Sequence, residues 1–417
     1  MRSGLLWRIA AAWLLQSTAH AAPSEPVLTH FPQPGLDADQ MGVIVNDDDP
    51  DSVAIAAYYR AKRGIPANNL IHVRFKPGGS TLSRETFINL KRRVDRITPK
   101  NVQAFALTWA QPYRVDCMSI TSAFAFGFDP AYCASTCKPT QPSPYFNSSV
   151  ARPWTTYRIR PTMSLAAASV DAAKKLIDRG VAADGSNPAG TAYLVSTTDK
   201  NRNVRAAGYE TVRRLMQAIL PTDIVQTNAL ENKPDVMFYF TGLAQVAALD
   251  SNHFLPGAIA DHLTSAGGDL IGGSQMSSLA WLQAGATGSY GAVVEPCNFP
   301  GKFPAPGVVM AHYLQGETLI EAYWKSVQMP GQGIFIGEPL ARPFAGIRHD
   351  ARDGTLSLSA RLLTPGFYEV QAAPSMIGPY RNVGRLAIAW GTRQIRLDHL
   401  PPAYYRFERR AEAVPAR

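Results

Sequence analysis

VMFYFTGLAQ (236–245), GGDLIGGSQMSSLAWLQAGATGSYGAVVEPCNFPGKF (267–303) and HYLQGETLIEAYWKSVQMPGQGIFIGEPLARPF (312–344) are the stretches that decide the fold. Three short apolar runs, 236–240, 268–272 and 288–294, each stop at small or polar residues. An apolar run without alternation reads as a strand covered on both faces, which places it in a parallel sheet. The stretches between read as helical, so the local order is strand–helix–strand and the class is α/β. Chemistry in such sheets collects where strands end. The ends here are Thr241-Gly242, Ser274-Gln275-Met276 and Glu295-Pro296-Cys297-Asn298, and one crevice along them is the expected functional region.

The same texture extends towards the N-terminus. Strands are expected at 42–45, 70–75, 102–108, 191–196 and 223–226, and helices at 53–63, 81–97, 164–179 and 204–219. Within the central stretch 258–264, 277–284 and 316–327 read as helices. Residues 114–160 are rich in Pro, Ser, Cys and aromatics and show neither period. Such an insertion is either functional or a disulfide-pinned cover over the sheet. Beyond 345 the pattern becomes short alternating strands (TLSLSARLL at 355–363, then 366–371, 383–390 and 394–397) separated by turns, the texture of a small β-sandwich. The expected division is 1–21, a signal peptide; 22–345, the α/β domain with its insertion at 114–160; and 346–417, the sandwich and a charged tail.

Composition sets further bounds. With 46% apolar and 18% charged residues in a chain of 417, this is ordinary globular material. The net charge of +9 falls to +7 without Arg2 and Arg8. Its Lys and Arg are scattered rather than striped, so no nucleic-acid partner is expected. Arg2 and Arg8, the apolar run 9–15 and Ala19-His20-Ala21 form a three-part secretory signature. The run is shorter than the roughly 20 residues that span a bilayer. An exported protein, periplasmic or secreted, with no stable membrane anchor after cleavage is therefore expected.

Export permits disulfides. The four cysteines are Cys117, Cys133, Cys137 and Cys297. One bridge among the first three is expected, Cys133–Cys137 or Cys117–Cys137, with Cys297 left over. The insertion offers no histidine to complete a zinc site, and neither metal nor cofactor is expected.

Several residues are candidates for chemistry. Cys297, beside Glu295, is a catalytic thiol if His253 or His312 folds over it, and otherwise a packed or bridged cysteine. Asp199, after the strand TAYLVS, is a general-base candidate that could pair with Glu295; its plainer reading is an Asx-turn. Ser274 needs an adjacent base and lacks a G-x-S-x-G elbow. Asn46 opens the acidic loop 46–52, where Asp51 or Ser52 can cap the next helix. Asn46, Trp109, Tyr113, Thr241, Gly242 and Gln275 complete the expected cleft as binding residues. Trp281 and Trp324 lie on helices and read as core. Gly267, Gly268, Gly272 and Gly273 fit neither a Walker nor a dinucleotide spacing and read as turn and close-packing residues.

The blocks NDDDPDSVAIAAYYRAKRGIP (46–66), SQMSSLAWLQAGATGSYGAVVEPCNFPGKFP (274–304) and GETLIEAYWKSVQMPGQGIFIGEPLARPF (316–344) together resemble a family of exported bacterial proteins of unknown function. GATG (285–288), GETL (316–319) and GEPL (337–340), with an Ig-like domain behind, are similar to gingipain-type cysteine peptidases. That resemblance implies a caspase/gingipain-like, mostly parallel sheet flanked by helices. In those peptidases one strand ends in His-Gly and the next parallel strand ends in the nucleophilic Cys, so that an imidazole can hold the thiolate. Here Thr241-Gly242 and Ser274-Gln275-Met276 stand at those places. The expectation is therefore a hydrolase-like protein without the usual dyad; the alternative is an envelope protein that binds a peptide, protein or glycan.

Overall fold

The computed structural model describes residues 23–134 and 137–410, so the expected signal peptide lies outside the described residues. Ten strands form one sheet: β1 Met41–Asn46, β2 Leu70–Val73, β3 Ala104–Leu107, β4 Thr162–Ser164, β5 Thr191–Ser196, β6 Thr222–Gln226, β7 Val236–Thr241, β8 Phe254–His262, β9 Gly288–Ala292 and β10 Gly333–Gly337. Their spatial order is β6-β5-β7-β8-β9-β10-β4-β3-β1-β2. The longer helices are α1 Pro50–Arg63, α2 Arg84–Ile97, α3 Ile120–Phe126, α4 Val170–Ala183, α5 Tyr209–Met216, α6 Leu279–Ala284, α7 Pro306–Leu314 and α8 Leu319–Ser326, and a short helix, Pro153–Tyr157, lies in the insertion.

Side chains alternate across a strand, and here both faces are covered. Val43 and Val45 enter one core with residues of α1, α5, α7 and α8, while Ile44 enters the other with residues of α2, α3 and α6. Phe238 and Phe240 divide from Tyr239 in the same way. Double burial is why these runs read as continuously apolar.

One junction is antiparallel. β9 pairs with β10 in opposite directions, Gly288 facing Gly337 and Ala292 facing Gly333, whereas the other junctions of the sheet are parallel. The sheet is thus two parallel halves running in opposite senses. Their C-terminal ends open at opposite edges.

Several elements differ from the sequence reading. The expected helix 258–264 is strand β8, whose alanines are extended because β7 and β9 pair on either side; sheet context overrides the alanine preference. The expected strand 268–272 is a turn, where Gly268 N–H donates to the Ala292 carbonyl at 2.8 Å. α4 begins at Val170, capped by Ser169 Oγ accepting from Ala172 N, after the chain has made β4. It also runs through Gly180, where a Cβ would meet Glu338 Cγ at 2.5 Å. The 114–160 insertion contains α3, which lies in the second core. The cap of α1 is Asp49, with Pro50 at the first helical position, where the missing N–H costs nothing.

The last strands are β11 Arg348–Arg352, β12 Thr355–Ser359, β13 Gly366–Ala373, β14 Arg381–Ile388, β15 Gln394–Leu397 and β16 Tyr404–Arg409. β11, β12 and β15 form one antiparallel sheet. The second has the order Val27–His30, β16, β13, β14, with Val27–His30 parallel to β16. Leu356, Leu358, Tyr368, Val370 and Phe407 from the two sheets, with Phe31, share one buried cluster.

The crossing of 267–268 over β9 is backbone against backbone. A Cβ on Gly268 would lie 2.6 Å from the Ala292 carbonyl carbon. Gly268→Ala should therefore lower stability by about 1–3 kcal/mol. Gly208→Ala, where a Cβ meets nothing within 4 Å, should leave it nearly unchanged; thermal unfolding of the two variants checks the contrast.

Candidate functional site

The C-terminal ends of β5, β7, β8 and β9 share an edge. There a cavity of about 370 Å³ is lined by Asn201, Arg202, Leu263, Thr264, Ser265, Glu295, Asn298 and the bridged pair Cys137 and Cys297. β8 is central: its apolar Ala258-Ile259-Ala260 is buried, and the polar Asp261-His262 follows at the strand end, still buried.

The buried Arg205 guanidinium holds this edge. It donates to the Thr241 carbonyl at 2.6 Å and the Pro304 carbonyl at 3.2 Å. It also faces Asp261 at 2.6 Å, close but not aligned as a hydrogen bond. Burial works against the Arg205 charge, but Asp261 outweighs it and raises the Arg205 pKa, so the cation persists. His262 has both ring nitrogens engaged: Nε2 lies 3.0 Å from the Met276 carbonyl, and Trp281 Nε1 donates to Nδ1 at 2.9 Å. These partners require the neutral ring with its proton on Nε2. Burial lowers its pKa to about 4.

Around the rim, Arg202 Nε donates to Thr264 Oγ1 at 3.0 Å and Nη1 to Asp199 at 2.9 Å. Thr264 in turn donates to Gln275 Oε1 at 2.6 Å. Gly242 is pressed against the Arg202 carbonyl, leaving no room for a Cβ.

The sequence-derived candidates fall into three groups. Thr241, Gly242, Gln275, Glu295, Cys297 and Asp199 belong to this edge, although of these Glu295 and Cys297 alone line the cavity. Burial opposes the Asp199 charge, but the Arg202 hydrogen bonds and charge outweigh it and hold the pKa below the ordinary value. Its Oδ1 also accepts from Asn201 N, as an Asx-turn does. Glu295 Oε1 accepts from Cys297 N at 2.7 Å, shaping the turn in which Cys297 adopts φ 55°. Ser274 is exposed on the turn after β8.

Asn46, Trp109 and Tyr113 belong to the other half. Asn46 is buried and clamps Phe75 through its side-chain amide, while its N–H donates to Ser52. Trp109 and Tyr113 are buried in the second core, and Trp109 Nε1 donates to the Pro112 carbonyl. Trp281 and Trp324 are buried, as the sequence indicated.

The cysteine pairing corrects the sequence reading twice. The bridges are Cys117–Cys133 and Cys137–Cys297, with Cα separations of 5.6 and 5.4 Å; neither expected pair forms. Cys297 is therefore not a free thiol. His253 bonds the Pro234 carbonyl and His312 pairs with Glu317, so neither serves as its base. Among the described residues no three His, Cys, Asp or Glu side chains are grouped to hold a metal.

His262, Asp261, Arg205, Arg202 and Thr264 were not foreseen. Reading 254–262 as a strand would have exposed Asp261 and His262, since Asp-His directly after an apolar run marks a strand end; Arg202, Arg205 and Thr264 carry no such signal.

No protein-family model matches the chain, and no curated protein does. Two solved structures are similar in fold. One is the complex of the pro- and mature domains of RgpB from Porphyromonas gingivalis, with 9% identity, a TM-score of 0.45, and 89% of this chain and 99% of that one covered. The other is a structure of a protease, with 10% identity, a TM-score of 0.41, and 89% and 97% covered.

Two outcomes follow from the geometry. Peptide mapping under non-reducing conditions should recover Cys117 linked to Cys133 and Cys137 linked to Cys297, and no free thiol. Between about pH 6.5 and 4 the unfolded chain binds a proton at His262 that the folded chain refuses, so stability falls as pH drops through that window. The loss from this group is about 3 kcal/mol. In His262→Gln, denaturant unfolding between pH 7 and 4 should show a correspondingly smaller decline.

Proposed function

We propose that this is an exported, hydrolase-like α/β protein whose strand-end cleft binds a peptide segment without thiol catalysis. The observation that carries the reading is the state of the cleft's two cysteines: Cys137 and Cys297 are joined to each other, which removes the thiolate that attack on a carbonyl requires. The histidine at the end of β8 supports it. His262 has its Nδ1 lone pair occupied by Trp281 and is buried away from solvent, so it is a poor proton acceptor. Asp199 is a weak base while Arg202 holds it ionised. Two disulfides favour an oxidising compartment.

What remains at the cleft is recognition chemistry. Arg202 offers a cation, Glu295 a carboxylate, and Asn201 and Asn298 two amides. An extended peptide presents alternating N–H and C=O groups that such a mixture can meet, and Arg202 suits a carboxylate on it.

A thiol-directed probe and a mixed peptide-substrate library, applied to the protein lacking residues 1–21 without reductant, test the reading. Native protein and the Cys137→Ala/Cys297→Ala double variant should both show no labelling and no turnover. Peptide cleavage by the native protein at tenfold or more above the double variant would overturn it. Peptides retained from the same library should bind at least fivefold more weakly to Arg202→Met.

A further inference from the structure

A cavity of about 520 Å³ opens between the α/β body and the smaller pair of sheets, and it shares no lining residue with the strand-end cleft. The loop after α4 contributes Gly185 and Asn187, residues 344–347 line it in between, and the β11–β12–β15 sheet with its flanking residues supplies the rest. Strand register decides which side chains face it. Arg348 stands opposite Ser359, and Ser359 opposite Gln394, so the three share one face of that sheet. Leu356 and Leu358 take the other face and enter the sandwich core, as alternation along a strand requires.

Three arginines, Arg348, Arg361 and Arg393, line this cavity, and no carboxylate among the described residues does. Arg352 and Arg396, on the same strands, pair with Asp350 and Asp398, whereas none of the three makes an ion pair among the described residues. Arg361 is nevertheless held in place. Its Nε donates to Asn187 Oδ1 at 2.8 Å, and its Nη2 to the Asn187 and Pro188 carbonyls at 3.2 and 3.0 Å. Its guanidinium carbon lies 5.5 Å from the centre of the Phe344 ring. These partners are neutral, so they fix the group without balancing its charge. Nη1 has no hydrogen-bond partner among the described residues and keeps surface open to solvent. Arg348 and Arg393 are exposed. Burial, and then the charge of Arg393, lower the Arg361 pKa, as like charges without a counter-ion do.

We propose that this cavity binds a small phosphomonoester, its phosphate held by Arg361 Nη1 and by the Arg348 and Arg393 guanidiniums. A cleft lined by one sign of charge concentrates ions of the other, and the guanidinium fork matches phosphate oxygens. Phosphate is favoured over carboxylate on two counts. It carries nearly two charges at pH 7 instead of one, and it presents three terminal oxygens to three guanidiniums. The Ser359 hydroxyl and the Gln394 amide, on the same face as Arg348, add uncharged donors. The volume lies within the roughly 300–1,000 Å³ of ligand cavities and exceeds what a bare ion fills, which leaves room for an organic part. Because Arg361 is already tethered, binding loses little side-chain freedom there.

The test is titration calorimetry at low salt on the protein lacking residues 1–21, with glycerol 3-phosphate, inorganic phosphate and acetate as probes. Glycerol 3-phosphate should bind with a Kd of about 1 mM or tighter. It should bind at least threefold more tightly than inorganic phosphate and tenfold more tightly than acetate. Arg361→Met would also cut the tether to Asn187, so the deciding variant is Arg348→Gln/Arg393→Gln, which alters two exposed side chains. It should weaken binding tenfold or more with thermal unfolding unchanged. Arg92→Gln/Arg93→Gln removes the same charge from exposed positions on α2, away from the cavity, and should change binding less than twofold. Absence of glycerol 3-phosphate binding, inorganic phosphate or acetate binding as tightly as the ester, or equal weakening in the two double variants would each overturn the proposal. Peptide binding at the strand-end cleft should survive Arg348→Gln/Arg393→Gln, and Arg202→Met should leave glycerol 3-phosphate binding unchanged, so the two readings fail separately.

Discussion

One buried guanidinium, that of Arg205, sets the geometry of the strand-end edge. It joins the end of β7 through the Thr241 carbonyl, the end of β8 through Asp261, and the approach to α7 through the Pro304 carbonyl. Two ions removed from water cost several kcal/mol each before their attraction is counted, so such a pair is poor evidence of stability. Its effect is positional. With Arg205 in place, two parallel strand ends and a following loop have one mutual arrangement, and His262, next to Asp261, is carried into contact with Trp281 and Met276. At this edge the Asp261 carboxylate faces Arg205, and His262 is engaged at both ring nitrogens.

The antiparallel β9/β10 junction distributes the rest. Each half of the sheet opens towards its own edge, and the two edges have been finished differently. At the end of β1, Ser52 and Thr108 hydroxyls lie 2.6 Å apart and Asn46 clamps Phe75, closing that edge with short polar side chains. The opposite edge keeps a cavity, with a disulfide for one of its walls. A further cavity, of about 310 Å³, is made by neither edge. It arises where α7 and α8, which cover one face of the sheet, meet the smaller pair of sheets.

Much of this was legible in the residues. Runs such as VMFYFT and GVIV announced strands buried on two faces, and TLSLS announced a sheet with one wet side. Where the reading went astray, a local preference lost to a neighbour far off in the chain. Ala258 and Ala260 favour a helix alone but are extended between β7 and β9. The run at 268–272 looks like a strand until Gly268 is seen pressed on Ala292. The antiparallel seam depended on β10, GIFIG, whose direction no local pattern encodes, and with it went the expected convergence of Asn46, Trp109 and Tyr113 on the crevice. The partner of Cys297 lay 160 positions away, a distance over which spacing is silent.

That long-range bond has a topological result. By joining Cys137 to Cys297 it closes the segment carrying six of the sheet's ten strands into a covalent ring, worth about 5 kcal/mol of stability in a chain-entropy account. A ring cut once becomes a line, not two fragments. A protease that severs a single surface loop between the bridged cysteines would leave every strand tethered, where a linear chain would shed its pieces.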